Sequence, residues 1–248
     1  MKRSSRSVLH AVTVLLAVTS ASAAASDDGA GPFGVTAVAA PVPRTARVGA
    51  LVVDGRHFCT ASVVHSPHHD LLVTAAHCTD HRASEVVFAP GYRDGRAPYG
   101  EFRLTRWFLP EGWTKGRDED SDVAFAVVEG RDGKEVEDVV GGNRFATGTA
   151  TGATGVTVTG YPNHLRAPIS CTNKPALHSR TQQRISCPGF SGGTSGSPWV
   201  NGDGEVVGVL GGHDDGGTTP DVSYSVVFGS EAAELYRGAC TGFGLGSS

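Results

Sequence analysis

Several absences narrow the reading of this 248-residue chain. Beyond residue 25 no stretch approaches the about 18 consecutive apolar residues that a membrane-spanning helix needs. Neither sign of charge dominates: 21 lysines and arginines face 25 acids, a net of −4, so there is no basic footprint for nucleic acid. Cysteines number only five and none is spaced as C-x-x-C, which argues against a zinc ligand set, and no cofactor motif is found. Internal repeats and long low-complexity tracts are also missing.

What is present begins with a leader. "MKRSSR" is positive, Val8 to Val18 is a short apolar core, and "ASAAAS" offers small residues for cleavage after Ala23 or Ala25. Residues 1–25 read as a secretory signal peptide, and the mature protein is expected outside the cell. In that oxidising setting Cys59, Cys78, Cys171, Cys187 and Cys240 are candidates for disulfides, with one left over. Residues 26–46 are small, proline-containing and without period, and read as a pro-segment or loose N-terminal arm. From Arg47 short β-branched runs recur between turns such as Asp54-Gly55 and Asp94-Gly95. Six lie in residues 47–128 ("RVGALVV", "FCTASVV", "DLLVTAA", "EVVFA", "FRLTRWF", "DVAFAVV"). A polar, glycine-rich linker, residues 129–148, with room for one helical turn, precedes six more in 149–240. This spacing predicts an all-β protein of two packed six-stranded antiparallel barrels, closed by a short helix over Ser230–Ala239 with Ser230 as its cap.

Three local patterns carry chemistry. "VTAAHCTD" places His77 after small residues, "DVAFAVV" opens on Asp122, and "GGTSGSPW" holds Ser195. The last pattern alone fits more than one nucleophile context and also a plain surface turn. It fails the G-x-S-x-G elbow of α/β-hydrolases, because Ser197 stands where the second glycine belongs. The chain order His, Asp, Ser separates the remaining contexts, since subtilisins run Asp, His, Ser and α/β-hydrolases Ser, acid, His.

Together these segments resemble the trypsin-like, chymotrypsin-fold serine peptidases, in particular the bacterial secreted members. The resemblance implies a serine endopeptidase in which His77 is the general base, Asp122 orients it and Ser195 attacks the carbonyl. Asp120 is the rival acid, but only Asp122 abuts the apolar run. The N–H groups of Gly193 and Ser195 would form the oxyanion hole. Gly189 would lie at the pocket floor, and Gly211, Gly212 and His213 along the segment that pairs with substrate. Pairing of Cys59 with Cys78 and of Cys171 with Cys187 is implied, with Cys240 as the odd thiol. Protein or peptide substrates are expected, acted on by a monomer with no cofactor, metal, nucleic acid or membrane partner.

The departures from that family are informative. Thr194 precedes the nucleophile where animal digestive members carry aspartate, and no Ile-Val-Gly-Gly precedes His77, so activation by N-terminal insertion is not expected. Ser197 replaces a glycine. Specificity is expected to be loosely basic: Asp221, in "TTPDV", would enter the pocket that Gly189 leaves open, the alternative being a solvated turn. His213 also raises a glutamyl-type reading, although that family's histidine falls slightly earlier. "HSPHHD" (65–70) reads as an exposed loop rather than a metal cluster, and the acids of "RDEDSD" as solvated rather than calcium-binding. A catalytically silent binding protein on the same fold is the alternative from another class.

Overall fold

A computed structural model describes residues 32–242; the leader expected over residues 1–25 lies outside the described residues. From residue 32 onward the arm is partly structured. Val35–Val38 (β1) pairs antiparallel with a strand of the second half and leads into the first barrel through a short helix, Pro43–Ala46.

Six strands close that barrel: β2 (Val48–Val53), β3 (Arg56–Val63), β4 (Leu71–Thr74), β5 (Val87–Pro90), β6 (Phe102–Phe108) and β7 (Ala124–Val128), in the order β2-β3-β4-β7-β6-β5. Each coincides with one of the six runs read from the sequence. The β2–β3 hairpin turns on Asp54 (φ 49°) and Gly55 (φ 74°), the positive-φ pair that a tight hairpin requires. β6 shows how the pattern works. Phe102 and Leu104 point inward with Arg103 and Thr105 outward, and a bulge near Leu104–Arg106 resets the register so that Phe108 is again buried. Leu51, Val63, Leu72, Phe88 and Phe102 fill the interior.

The second half holds β8 (Arg144–Phe145), β9 (Val156–Gly160), β10 (Ile169–Asn173), β11 (Ala176–Leu177), β12 (Gln182–Ser186), β13 (Pro198–Asn201), β14 (Glu205–Val209) and β15 (Val222–Val226). The order is β1-β10-β9-β13-β14-β8 in one sheet and β11-β12-β15 in the other. All six expected runs are strands, and β1, β8 and β11 add to them from the arm, the linker and a hairpin. The linker is therefore partly structured, with a helix at Val136–Val140 and β8 running parallel to β14. Trp199 is fully buried among Val158, Ile185 and Leu210 in the second core.

A shared apolar layer joins the halves. Leu71, Val73 and Phe125 from the first barrel meet Val206, Val209 and Phe228 from the second, and the C-terminal helix Ser230–Thr241 adds Leu235. Ser230 does not cap that helix. Gly229 occupies the cap position in an extended conformation, so the Ser230 hydroxyl comes one residue too late and makes no cap hydrogen bond.

Candidate active site

The site lies where loops of the two halves meet. β4 ends at Thr74, and Ala75 and Ala76, both fully buried, carry the chain into a 3-10 turn that presents His77. The neighbouring Cys78 is bonded to Cys59 on β3, and Cys171 is bonded to Cys187 at the end of β12, while Cys240 is free.

Asp122 follows a second 3-10 turn, Glu119–Ser121, and is completely buried. Its carboxylate accepts three hydrogen bonds: from His77 Nδ1 (2.7 Å), from the His77 backbone N–H (2.9 Å) and from the Gly212 N–H (2.6 Å). Asp120 is excluded as the partner, because it is exposed and accepts from the Gln182 side chain instead. Burial alone would lower the His77 pKa, but the hydrogen bond to Asp122 and the charges of Asp122, Asp215 and Asp80 outweigh it and leave it raised. For Asp122, burial pushes upward. The His77 partner and the two backbone donors overcome this and hold it ionised below the ordinary range. His77 Nε2 is buried and has no hydrogen-bond partner. The pair is thus a polarised imidazole with one nitrogen still available for a proton.

The Ser195 turn comes from the other half and is clamped to the first. Gly193 (φ 95°) and Gly196 (φ 80°) adopt conformations open to glycine, and a Cβ at either would strike protein atoms within 2.5 Å. The Thr60 hydroxyl on β3 donates to the Gly193 carbonyl (3.0 Å) and accepts the Tyr161 N–H (3.1 Å), while the Thr60 N–H bonds the Ser195 carbonyl (2.7 Å). Among the described residues, the N–H groups of Gly193 and Ser195 donate to no protein acceptor, although Gly193 is buried. A donor left open at a buried residue is uncommon, and the half-buried Ser195 adds a second open N–H from the same turn. Ser197 is fully buried and its hydroxyl donates to the Thr194 carbonyl (2.6 Å), so it braces the turn and offers no free nucleophile.

Other expected residues fall differently. Gly189 (φ 90°) packs near Thr36 of the arm strand, whose hydroxyl donates to the Pro188 carbonyl (2.6 Å). The arm thus flanks the expected pocket floor. The segment after β14 is not an extended strand: His213–Gly216 is a tight turn in which Asp214 (φ 50°) and Asp215 (φ 53°) hold left-handed backbones. Its neighbouring N–H groups are already used, Gly211 to the Tyr224 carbonyl, Gly212 to Asp122 and His213 to Gln182. Asp221 is exposed in a turn closed by a Thr219–Val222 bridge, the solvated alternative, so the argument from a buried carboxylate does not apply to it.

Three participants escaped the sequence. Thr60 sits in an ordinary strand pattern next to Cys59. Gln182, buried on β12, donates to the Glu119 carbonyl and to Asp120 (2.9 Å each) and holds the Asp122 loop against the His213 turn. Asp215 brings its carboxylate within 4.8 Å of ligand atoms of both His77 and Asp122. Only its position in "GGHDDGG" hinted at it.

A two-part β-barrel body, with a His–Asp pair carried by one half and a serine turn by the other, is the architecture of chymotrypsin-fold serine peptidases. A family model described as Trypsin matches residues 37–228, and the chain belongs to that family. It is similar to a glutamyl endopeptidase of Bacillus licheniformis, 29% identical over 135 residues. That match spans 51% of this chain and 41% of the relative, so the chain covers less than half of that protein's length. Among solved structures, protease Anisep from Arthrobacter nicotinovorans superimposes with a TM-score of 0.72 at 25% identity, covering 84% of this chain and all of the other. The thermostable serine protease AL20 from an extremophilic microorganism gives 0.70 at 26%, covering 81% and 99%.

Proposed function

We propose that the chain is an exported serine endopeptidase in which His77, Asp122 and Ser195 act together. The observation that carries this reading is the buried Asp122–His77 pair with His77 Nε2 left unpartnered. In the proposed cycle His77 Nε2 takes the Ser195 hydroxyl proton as the oxygen attacks the peptide carbonyl, then protonates the leaving amine. Asp122 fixes the tautomer and stabilises the imidazolium. The unpaired N–H groups of Gly193 and Ser195 receive the carbonyl oxygen as it gains charge. Water then releases the acyl group with the same residues acting in reverse. Ser195→Ala and His77→Ala should each abolish peptide cleavage while the far-ultraviolet spectrum is unchanged. The double variant should be barely worse than either single one, as expected for groups that act as a unit. Strong residual cleavage in Ser195→Ala would end the assignment.

Specificity follows from the charge around His77. Glu119, Asp214 and Asp215 surround the His213 turn, and Asp215 lies beside His77 itself. These acids favour substrates with lysine or arginine close to the scissile bond, in place of the role first expected of Asp221. The second reading, a preference for glutamate, is favoured by the relative named glutamyl endopeptidase and by His213 stacked on His178 at 4.7 Å beside Tyr224. Peptide-library cleavage decides between them. Loss of arginine over glutamate selectivity in Asp215→Asn supports the first, and glutamate cleavage lost in His213→Ala supports the second.

A further inference from the structure

The "HSPHHD" loop has an environment that the peptidase reading leaves unused. It joins β3 to β4 at the end of β4 away from His77, roughly 13 Å along the strand at the ordinary rise per residue. There the linker helix Val136–Val140 packs against it. His65 Nδ1 lies 2.8 Å from Glu137 Oε1, and His69 Nδ1 lies 2.7 Å from Asp138 Oδ1. Ligand atoms of His65, His69 and Glu137 all fall within 4.8 Å of one another, and the two imidazole centroids are 6.0 Å apart.

We propose that His65, His69 and Glu137, supported by Asp138, bind a divalent transition-metal ion of the zinc class and so tie the β3–β4 loop to the linker helix. Two imidazoles and a carboxylate are a donor set suited to zinc, with a fourth position for water. A tetrahedral ion with bonds of about 2.05 Å needs neighbouring donors roughly 3.3 Å apart, so the three groups need only small side-chain rotations.

Several features prepare these residues. Glu137 is largely buried, with its side chain 13% exposed, and its second oxygen accepts the Ser66 N–H (3.2 Å), which fixes the carboxylate. The Glu137 N–H in turn donates to the His69 carbonyl (3.0 Å), closing the loop onto the helix. His69 holds a left-handed backbone (φ 59°), a conformation uncommon outside glycine that turns its side chain toward the helix. Asp138 engages Nδ1 of His69 and leaves Nε2 as that ring's ligand atom. This is the carboxylate–histidine–metal relay seen around bound metals generally. The loop is exposed at His65, Pro67 and His68, as expected, and the contacts to the helix come in addition.

The test uses the full chain carrying His77→Ala, which removes self-digestion and takes the active-site imidazole out of competition for the metal. Zinc chloride titrated calorimetrically should bind one ion per chain. At a hundredfold excess over Kd it should raise the unfolding midpoint by about 5–10 °C. His65→Ala and His69→Ala, both at exposed side chains, should each weaken zinc binding by tenfold or more. Asp138→Asn should weaken it by about 10–100-fold. In the chain with His77 intact, neither histidine variant should change peptide cleavage. Absence of stoichiometric zinc binding, or binding kept in both His65→Ala and His69→Ala, would overturn the proposal.

Discussion

Replacing Thr60 by valine keeps the shape of a fully buried side chain and removes only its hydroxyl. That hydroxyl donates to the Gly193 carbonyl and accepts the Tyr161 N–H, and neither group has another partner among the described residues. Stranding a buried polar group costs about 1–3 kcal/mol, so two should cost about 2–4 kcal/mol, because part of the loss relaxes. For a domain of this size the unfolding midpoint should fall by roughly 4–15 °C. The catalytic consequence is separate. Gly193 is the proposed oxyanion donor; its carbonyl belongs to the following peptide unit, so freeing it loosens the Gly193 Cα and lets the donor N–H on the other side tilt with it. Complete loss of such a donor costs about 10²–10³-fold in kcat, so a tilt should cost roughly tenfold, in kcat more than in KM. Thr60→Ser restores the hydroxyl and loses one methyl, and should recover most of kcat while remaining about 1 kcal/mol less stable. Thermal unfolding and steady-state kinetics on one peptide substrate measure both effects. A Thr60→Val protein with an unmoved midpoint and normal kcat would refute the clamp.

The raised His77 pKa means that the imidazole stays protonated, and unable to accept the serine proton, to a pH above the ordinary histidine value. The acid limb of kcat/KM should therefore have its midpoint above about 6.5, and Asp215→Asn should move it to lower pH; an unmoved limb would show that Asp215 does not act on His77. Opening Cys59–Cys78, which closes a loop with a sequence separation of 19, should cost about 3 kcal/mol in the chain-entropy model. The Cys59→Ala/Cys78→Ala protein, followed by denaturant unfolding, checks this value. Ser197→Ala should retain peptide cleavage with a stability loss of about 1 kcal/mol, because the Thr194 carbonyl keeps the Ser197 N–H as a donor.

Most of the β framework could be read from the chain because its strands alternate or run apolar between glycine turns. The six runs of the first half and the six of the second are all strands. Additions came where the local signal is faint. β8 and β11 are two residues each, and β1 lies in a proline-containing arm held by tertiary pairing rather than by its own pattern. The proposed roles of His77, Asp122 and Ser195 came from the resemblance of their segments to the family's motifs, and the structure joins the first two by a 2.7 Å hydrogen bond. Thr60 and Gln182 were not legible, since a polar residue in a strand reads alike whether it faces water or a buried carbonyl. Asp221 is a related case. The turn closed by Thr219 and Val222 exposes it, and sequence offset does not encode that geometry.

Activation of Ser195 by His77 is open to test with a fluorophosphonate probe followed by peptide mapping. One adduct per chain is expected, on Ser195 and not on Ser197. That adduct should be absent in Ser195→Ala, strongly slowed in His77→Ala, and formed faster as pH rises through the His77 titration. Labelling at another serine, or labelling of Ser195 at an unchanged rate without His77, would contradict it.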